Sequence, residues 1–122
     1  MKNFSVAILG ASNNPERFSN KAFLLLKDNG YKVVPVSPKM HTIDDIPVIS
    51  DLELIKVPID TLTVYVNAEI SKKLLPKIIN LKPRRIIFNP GTENLEIEKK
   101  LIEAGIKVIN ECTLVLLNSG RF

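Results

Sequence analysis

The chain has 122 residues, 45% of them hydrophobic, and 17 basic against 13 acidic side chains for a net charge of +4. That length supports one hydrophobic core and, by expectation, one domain over residues 1–122. The modest positive excess contains no dense arginine or lysine run, which argues against a nucleic-acid partner while permitting an anionic ligand.

A lone cysteine, Cys112, and a lone histidine, His41, exclude an internal disulfide framework, a Cys-rich metal site and a zinc ligand set. No stretch approaches the roughly 20 apolar residues of a bilayer span, and the run Phe4–Leu9 is too short and too near Met1 for a secretion signal. A cytoplasmic setting away from membranes is expected.

In chain order, Val6, Ala7, Ile8 and Leu9 read as a buried strand, Gly10 and small residues open a turn, and a helix begins between Pro15 and Ser19. Ala22, Phe23, Leu25 and Leu26 form its apolar stripe through Asn20–Asn29, and Gly30 is placed to end it in a left-handed cap. Lys32–Val36 is a second strand, stopped at Ser37-Pro38 because proline cannot continue a central strand. Met40–Ser50 is expected to be irregular apart from a short strand at Pro47–Ile49, with a helical turn over Asp51–Ile55.

Thr61–Val66, rich in β-branched and aromatic residues, predicts the third core strand. From Asn67 or Ala68 a helix runs to about Asn80, turning Ile70, Leu74, Leu75 and Ile78 inward, with Pro76 expected to kink or shorten it. Arg85–Phe88 is the fourth strand, Asn89-Pro90-Gly91 a turn, Glu93–Ala104 a helix closed by Gly105, and Ile106–Ile109 the fifth strand. Cys112–Asn118 is apolar enough for a last helix packed on the domain.

Short apolar strands alternating with helical segments imply right-handed crossovers and an α/β fold, a doubly wound parallel sheet of about five strands in three Rossmann-like layers. Ligands of such sheets lie beyond the carboxyl ends of the strands, where the strand order reverses. The wall would come from Gly10–Ser19, Ser37–His41, Asn67–Glu69, Asn89–Thr92 and Glu111–Thr113. A small-residue loop opening a helix aims backbone N–H groups and the positive end of the helix dipole at one spot, which suits a phosphate.

The loop departs from the dinucleotide pattern G-x-G-x-x-G, since Ser12 and Pro15 stand where glycines would be. Nor does a carboxylate follow the second strand to take ribose hydroxyls; Ser37, Pro38 and Lys39 stand there instead. With Arg17 as a second cation, a phosphorylated ribose fits better than a free diol, which leaves NADP and coenzyme A as ligand classes.

GASNNPERFS at Gly10–Ser19 and GYKVVPVSP at Gly30–Pro38, followed by NPGTENLE and the closing NECTLVLLN, resemble the small stand-alone CoA-binding proteins. These are similar to the CoA-binding domain of the succinyl-CoA synthetase alpha subunit. The resemblance implies coenzyme A or an acyl-CoA as ligand. It sets Gly10, Ala11 and Ser12 in the phosphate loop, Arg17 and Ser19 at polar positions of the helix start, and Ser37, Pro38 and Lys39 near the adenosine phosphate. Val66 and Asn67 would line the nucleotide crevice, and Asn89, Pro90, Gly91 and Glu93 match the turn after the fourth strand.

The chain departs from many relatives in having Ser37 for Asn, Asn67-Ala68 where a larger residue such as Arg is common, and NPGTEN where the turn often resembles Q-x-G-x-x-N.

No nucleophile with a positioned base is visible, and His41 lies in a proline-flanked loop, so no catalytic residue is assigned. The expected function is binding of a small-molecule nucleotide ligand, with a homo-oligomer or protein partner left open. Two alternatives stand beside it: an NADP-binding regulatory or partner-dependent oxidoreductase module, and a protein-interaction module with an empty crevice. Cys112 is expected to pack, its alternative being a mixed disulfide with the thiol of CoA.

Overall fold

A computed structural model of the protein describes residues 4–122. Its centre is a parallel five-stranded sheet built from β1 (Ser5–Leu9), β2 (Lys32–Val36), β5 (Thr61–Val64), β6 (Arg85–Phe88) and β7 (Lys107–Asn110), in the spatial order β2-β1-β5-β6-β7. The helices are α1 (Phe18–Asp28), α2 (Ala68–Leu81), α3 (Leu95–Glu103) and α4 (Thr113–Asn118).

Alternation along β1 divides the core. Val6 and Ile8 meet Phe23 and Leu26 of α1, whereas Ala7 and Leu9 share the opposite face with Leu75 and Ile78 of α2 and Ile97 and Leu101 of α3. Helices cover both faces, so the architecture is the expected three-layer, Rossmann-like α/β fold.

The α4 side of the sheet carries a buried polar seam in place of a purely aliphatic core. Thr63 and Thr113 share a hydrogen bond of 2.7 Å between their hydroxyls, and Arg85 Nε donates to Thr61 Oγ1 at 2.7 Å. Arg85 Nη2 also donates to the Phe122 backbone carbonyl at 2.7 Å, with the guanidinium 4.5 Å from the Phe122 ring centroid. Phe122 thereby closes over Tyr31.

Several boundaries differ from expectation for local reasons. The third strand stops at Val64 and not Val66, because its neighbours end there: Leu9 gives way to the Gly10 turn and β6 finishes at Phe88. Met40–Ser50 contains a two-stranded hairpin, β3 (Thr42–Ile43) and β4 (Ile46–Pro47), turned by Asp44 and Asp45 in left-handed conformation and pinned by an ion pair from Lys27 to Asp44. Ile49 pairs singly with Val36, so the strand expected at Pro47–Ile49 is displaced.

A 3₁₀ turn over Leu52–Leu54 occupies the segment expected to turn. The third helix starts at Leu95 because Asn94 caps it, its Oδ1 accepting from Ile97 N–H at 3.1 Å. The second helix continues through Pro76, which lies on the solvent side where water can meet the Lys72 carbonyl it leaves without a donor.

Candidate functional site

A cleft of about 840 Å³ opens beyond the carboxyl ends of β1, β2 and β5. β1 has β2 on one side and β5 on the other, and the chain leaves β1 and β5 toward helices on opposite faces, so their loops diverge and leave the gap. Gly10, Ala11, Ser12, Arg17, Ser19, Ser37, Pro38, Lys39, Val66, Asn67 and Pro90 all line it.

Asn89 and Gly91 do not. Asn89 is 3% exposed and faces the polar seam, where its Nδ2 donates to Thr63 Oγ1 and to the Val64 carbonyl at 2.7 and 2.8 Å, and its Oδ1 accepts from Thr113 N–H at 2.9 Å. Its reading as a crevice residue is corrected to a structural one: its amide is fully engaged inside the fold. Gly91 lies exposed in the turn, its N–H donating to Glu93 Oε1 at 2.7 Å. Cys112 stands half-buried at the N-cap of α4, also outside the cleft lining.

The β1–α1 loop is built in two parts. Gly10 and Ala11 N–H groups both donate to the Val36 carbonyl at 3.0 Å, so these amides brace the loop against β2 and are not the free donors the sequence implied. At φ +91° Gly10 occupies left-handed space, and a Cβ there would stand 2.9 Å from Val66 Cγ1 and 3.2 Å from the Tyr65 carbonyl carbon.

Ser12 Oγ then accepts from Asn14 N–H at 3.0 Å, Asn14 Oδ1 accepts from Glu16 N–H at 3.0 Å, and Asn20 Nδ2 reaches back to the Ser12 carbonyl at 2.9 Å. After these bonds, the N–H groups of Ser12, Asn13, Phe18 and Ser19 have no acceptor among the described residues.

Phe18 and Ser19 open α1, whose N-cap residue Arg17 supplies no side-chain cap and whose first turn has no carboxylate. The contrast with α2 is direct, since Asn67 Oδ1 caps that helix by accepting from Ile70 N–H at 3.0 Å. An uncapped helix start is a preorganised anion site.

On the β2 side, buried Ser37 donates its N–H to the Ile49 carbonyl at 3.0 Å and accepts from Lys39 N–H at 3.3 Å through its hydroxyl. The turn delivers Lys39 to the cleft wall as an exposed cation. Arg17 is exposed too, and neither cation has a carboxylate partner among the described residues. The carboxylate lining the cleft is Asp51, and it is already engaged with Lys77 Nζ at 2.7 Å and Glu53 N–H at 3.2 Å. The Lys77 hydrogen bond holds its carboxyl below the ordinary carboxylate range.

Apolar walls were the part the sequence concealed. Ile70, expected inward, is 42% exposed and lines the cleft, as do Leu74, Met40 and Phe18, the last 65% exposed. The helical period sets Ile70 with Leu74 but cannot tell a core-facing position from one overhanging the cleft in the first turn. Tyr65 also contributes to the lining, yet its hydroxyl is buried beside the Thr63–Thr113 pair and Cys112 without a hydrogen bond of its own. Burial pushes this phenol up to about 12.

At the opposite end of the strands a smaller recess of about 490 Å³ surrounds Asp60 and Arg84, which bond each other at 2.7 and 3.2 Å. Among the described residues no three His, Cys, Asp or Glu side chains gather to hold a metal ion. Among the described residues no helix is long and apolar enough to cross a membrane.

The model of the CoA-binding domain matches residues 4–118. The chain belongs to this CoA-binding domain family. It is 27% identical over 104 residues to the uncharacterized protein YneT of Bacillus subtilis (strain 168), covering 85% of this chain and 77% of that one. Among solved structures, one uncharacterized protein superposes with a TM-score of 0.92 at 38% identity over 98% of both chains. The protein cell-free ID.343 from Thermus thermophilus superposes at 0.90 and 30% identity over 98% of this chain and 90% of its own. The cleft collects amide donors, two cations and apolar walls.

Proposed function

We propose that this CoA-binding domain holds coenzyme A, free or as an acyl thioester, in the cleft between the β1–α1 loop and the end of β2. The observation that carries this reading is the group of free N–H donors at Ser12, Asn13, Phe18 and Ser19 beside the uncapped start of α1. A pyrophosphate there would accept several backbone hydrogen bonds and face the positive end of the helix dipole. Arg17 and Lys39 supply charge for the ribose phosphate, and Ser37, Pro38 and Met40 offer the adenine a surface at the end of β2. Phe18, Ile70 and Leu74 form the apolar wall left for the pantetheine arm and any acyl group.

The role is that of a binder. Asp51 is tied to Lys77, and Tyr65 keeps its hydroxyl buried and neutral, so the cleft's ionisable lining contains no base poised beside a nucleophile.

Thermal unfolding with CoA, acetyl-CoA, dephospho-CoA, NADP and NAD at matched concentrations tests the reading, because a ligand specific for the native state raises the midpoint. The expected order is CoA and acetyl-CoA above dephospho-CoA, with smaller effects from NADP and NAD. A midpoint unmoved by any CoA species overturns the proposal, and a larger rise with NADP than with CoA replaces it by a dinucleotide site.

A further inference from the structure

The two edges of the sheet differ. Outside β2 the chain returns through Ile49, which donates its N–H to the Pro35 carbonyl at 2.9 Å and accepts from Ser37 N–H at 3.0 Å. Outside β7 no described segment pairs. Lys107 N–H donates to the Arg84 carbonyl at 3.2 Å, so alternation directs the amides of Lys107 and Ile109 toward β6 and those of Val108 and Asn110 outward.

The α3 flank of this open edge carries aliphatic side chains in water. On α3, Leu95 is 85% and Ile102 61% exposed, seven residues apart on one stripe beside Glu98, whose Oε1 accepts from Asn110 Nδ2 of β7 at 2.7 Å. An unpaired strand with an apolar flank is a template for another strand.

We propose that a second copy of this chain pairs antiparallel with β7 about a two-fold axis, making one continuous sheet across the dimer. The outward amides fix the register. Val108 opposite the partner's Asn110, and Asn110 opposite the partner's Val108, both form hydrogen-bonded pairs, which centres the axis on Ile109.

That register brings Lys107 to the partner's Glu111, the bend residue immediately after β7, on both sides of the axis. Lys107 is exposed with no ion pair among the described residues, while Glu111 is held by Arg121 at 3.2 Å and keeps its side chain 41% exposed. Moving the axis to Val108 or Asn110 separates the two charges and sets one of them against Ile109. The charge complementarity therefore belongs to a copy of this strand in this register, and it is supplied twice by symmetry.

Sedimentation velocity over a range of concentrations is expected to show a dimer. Lys107→Glu and Glu111→Lys each place like charges across the axis and should raise its dissociation constant about tenfold, while the double reversal restores it. In a Cys112→Ser background, Ile109→Cys should form an intermolecular disulfide on mild oxidation and Val108→Cys should not, because Ile109 meets its own copy at the axis. A chain that stays monomeric at all concentrations overturns the proposal. So does a dimer that withstands both single reversals and gives no cross-link at Ile109→Cys.

Discussion

Asn89 Oδ1 accepts the Thr113 backbone N–H at 2.9 Å, so one side chain from the end of β6 satisfies the first amide of α4. Its Nδ2 group simultaneously holds Thr63 and the Val64 carbonyl of β5. This joins two strand ends and a helix directly beneath the cleft wall. Asn89→Ala should leave the buried Thr113 N–H without an acceptor and strip a hydrogen bond each from Thr63 Oγ1 and the Val64 carbonyl, costing about 3 kcal/mol, roughly 10 °C in midpoint. Chemical denaturation measures this, and a loss below about 1 kcal/mol would show that water replaces the amide.

Gly10→Ala combines a left-handed backbone at φ +91° with a Cβ 2.9 Å from Val66 Cγ1 and close to the Tyr65–Val66 backbone. We expect a destabilisation of about 2–4 kcal/mol together with weaker CoA binding, since Val66 must move and it lines the cleft. Gly91→Ala is the control: its φ is +89° but nothing lies within 4 Å of a new Cβ, so it carries the backbone cost alone. Equal losses from the two substitutions would show that the Val66 contact is unimportant.

Arg17 is exposed and makes no ion pair among the described residues, so Arg17→Ala should change stability by no more than about 0.5 kcal/mol. If it reads the ribose phosphate, CoA affinity falls about tenfold while dephospho-CoA affinity stays put. Isothermal titration of both ligands against both proteins measures that coupling. Parallel losses for the two ligands would move Arg17 to the pyrophosphate.

Tyr65 gives a pH signature. Burial raises its phenol from the ordinary 10.0 to about 12, so the neutral form is favoured in the folded state. The associated stability is fully present below pH 10 and is lost at about 1.4 kcal/mol per pH unit as the pH climbs toward 12. Tyr65→Phe removes that alkaline slope. It also deletes a buried hydroxyl without a hydrogen bond, and should stabilise the protein by about 1 kcal/mol at neutral pH. Unfolding free energies of the two proteins from pH 7 to pH 11.5 provide the test, and identical alkaline limbs would contradict it.

The order of elements, the parallel sheet and the place of the cleft were legible in the residues. Apolar runs such as Val6–Leu9 and helical stripes such as Ala22, Phe23 and Leu26 record burial directly, and burial on both faces is what a doubly wound sheet demands. The missing carboxylate after β2 and the cations at Arg17 and Lys39 were also visible, because they depend on residue identity at a known point of the topology.

What the tertiary structure decided was the state of individual polar and apolar groups. Gly10 and Ala11 amides look free in the sequence, yet the Val36 carbonyl on a neighbouring strand takes both, and the amides without an acceptor among the described residues are those of Ser12, Asn13, Phe18 and Ser19. Asn89 reads as a turn residue facing a ligand until Thr63 and Thr113 close around it. Ile70 shares the apolar stripe of Leu74, but lies where α2 overhangs the cleft beyond the end of the sheet. Local sequence carries periodicity and chemistry; whether an amide is occupied or an apolar face meets core or cleft depends on partners distant along the chain.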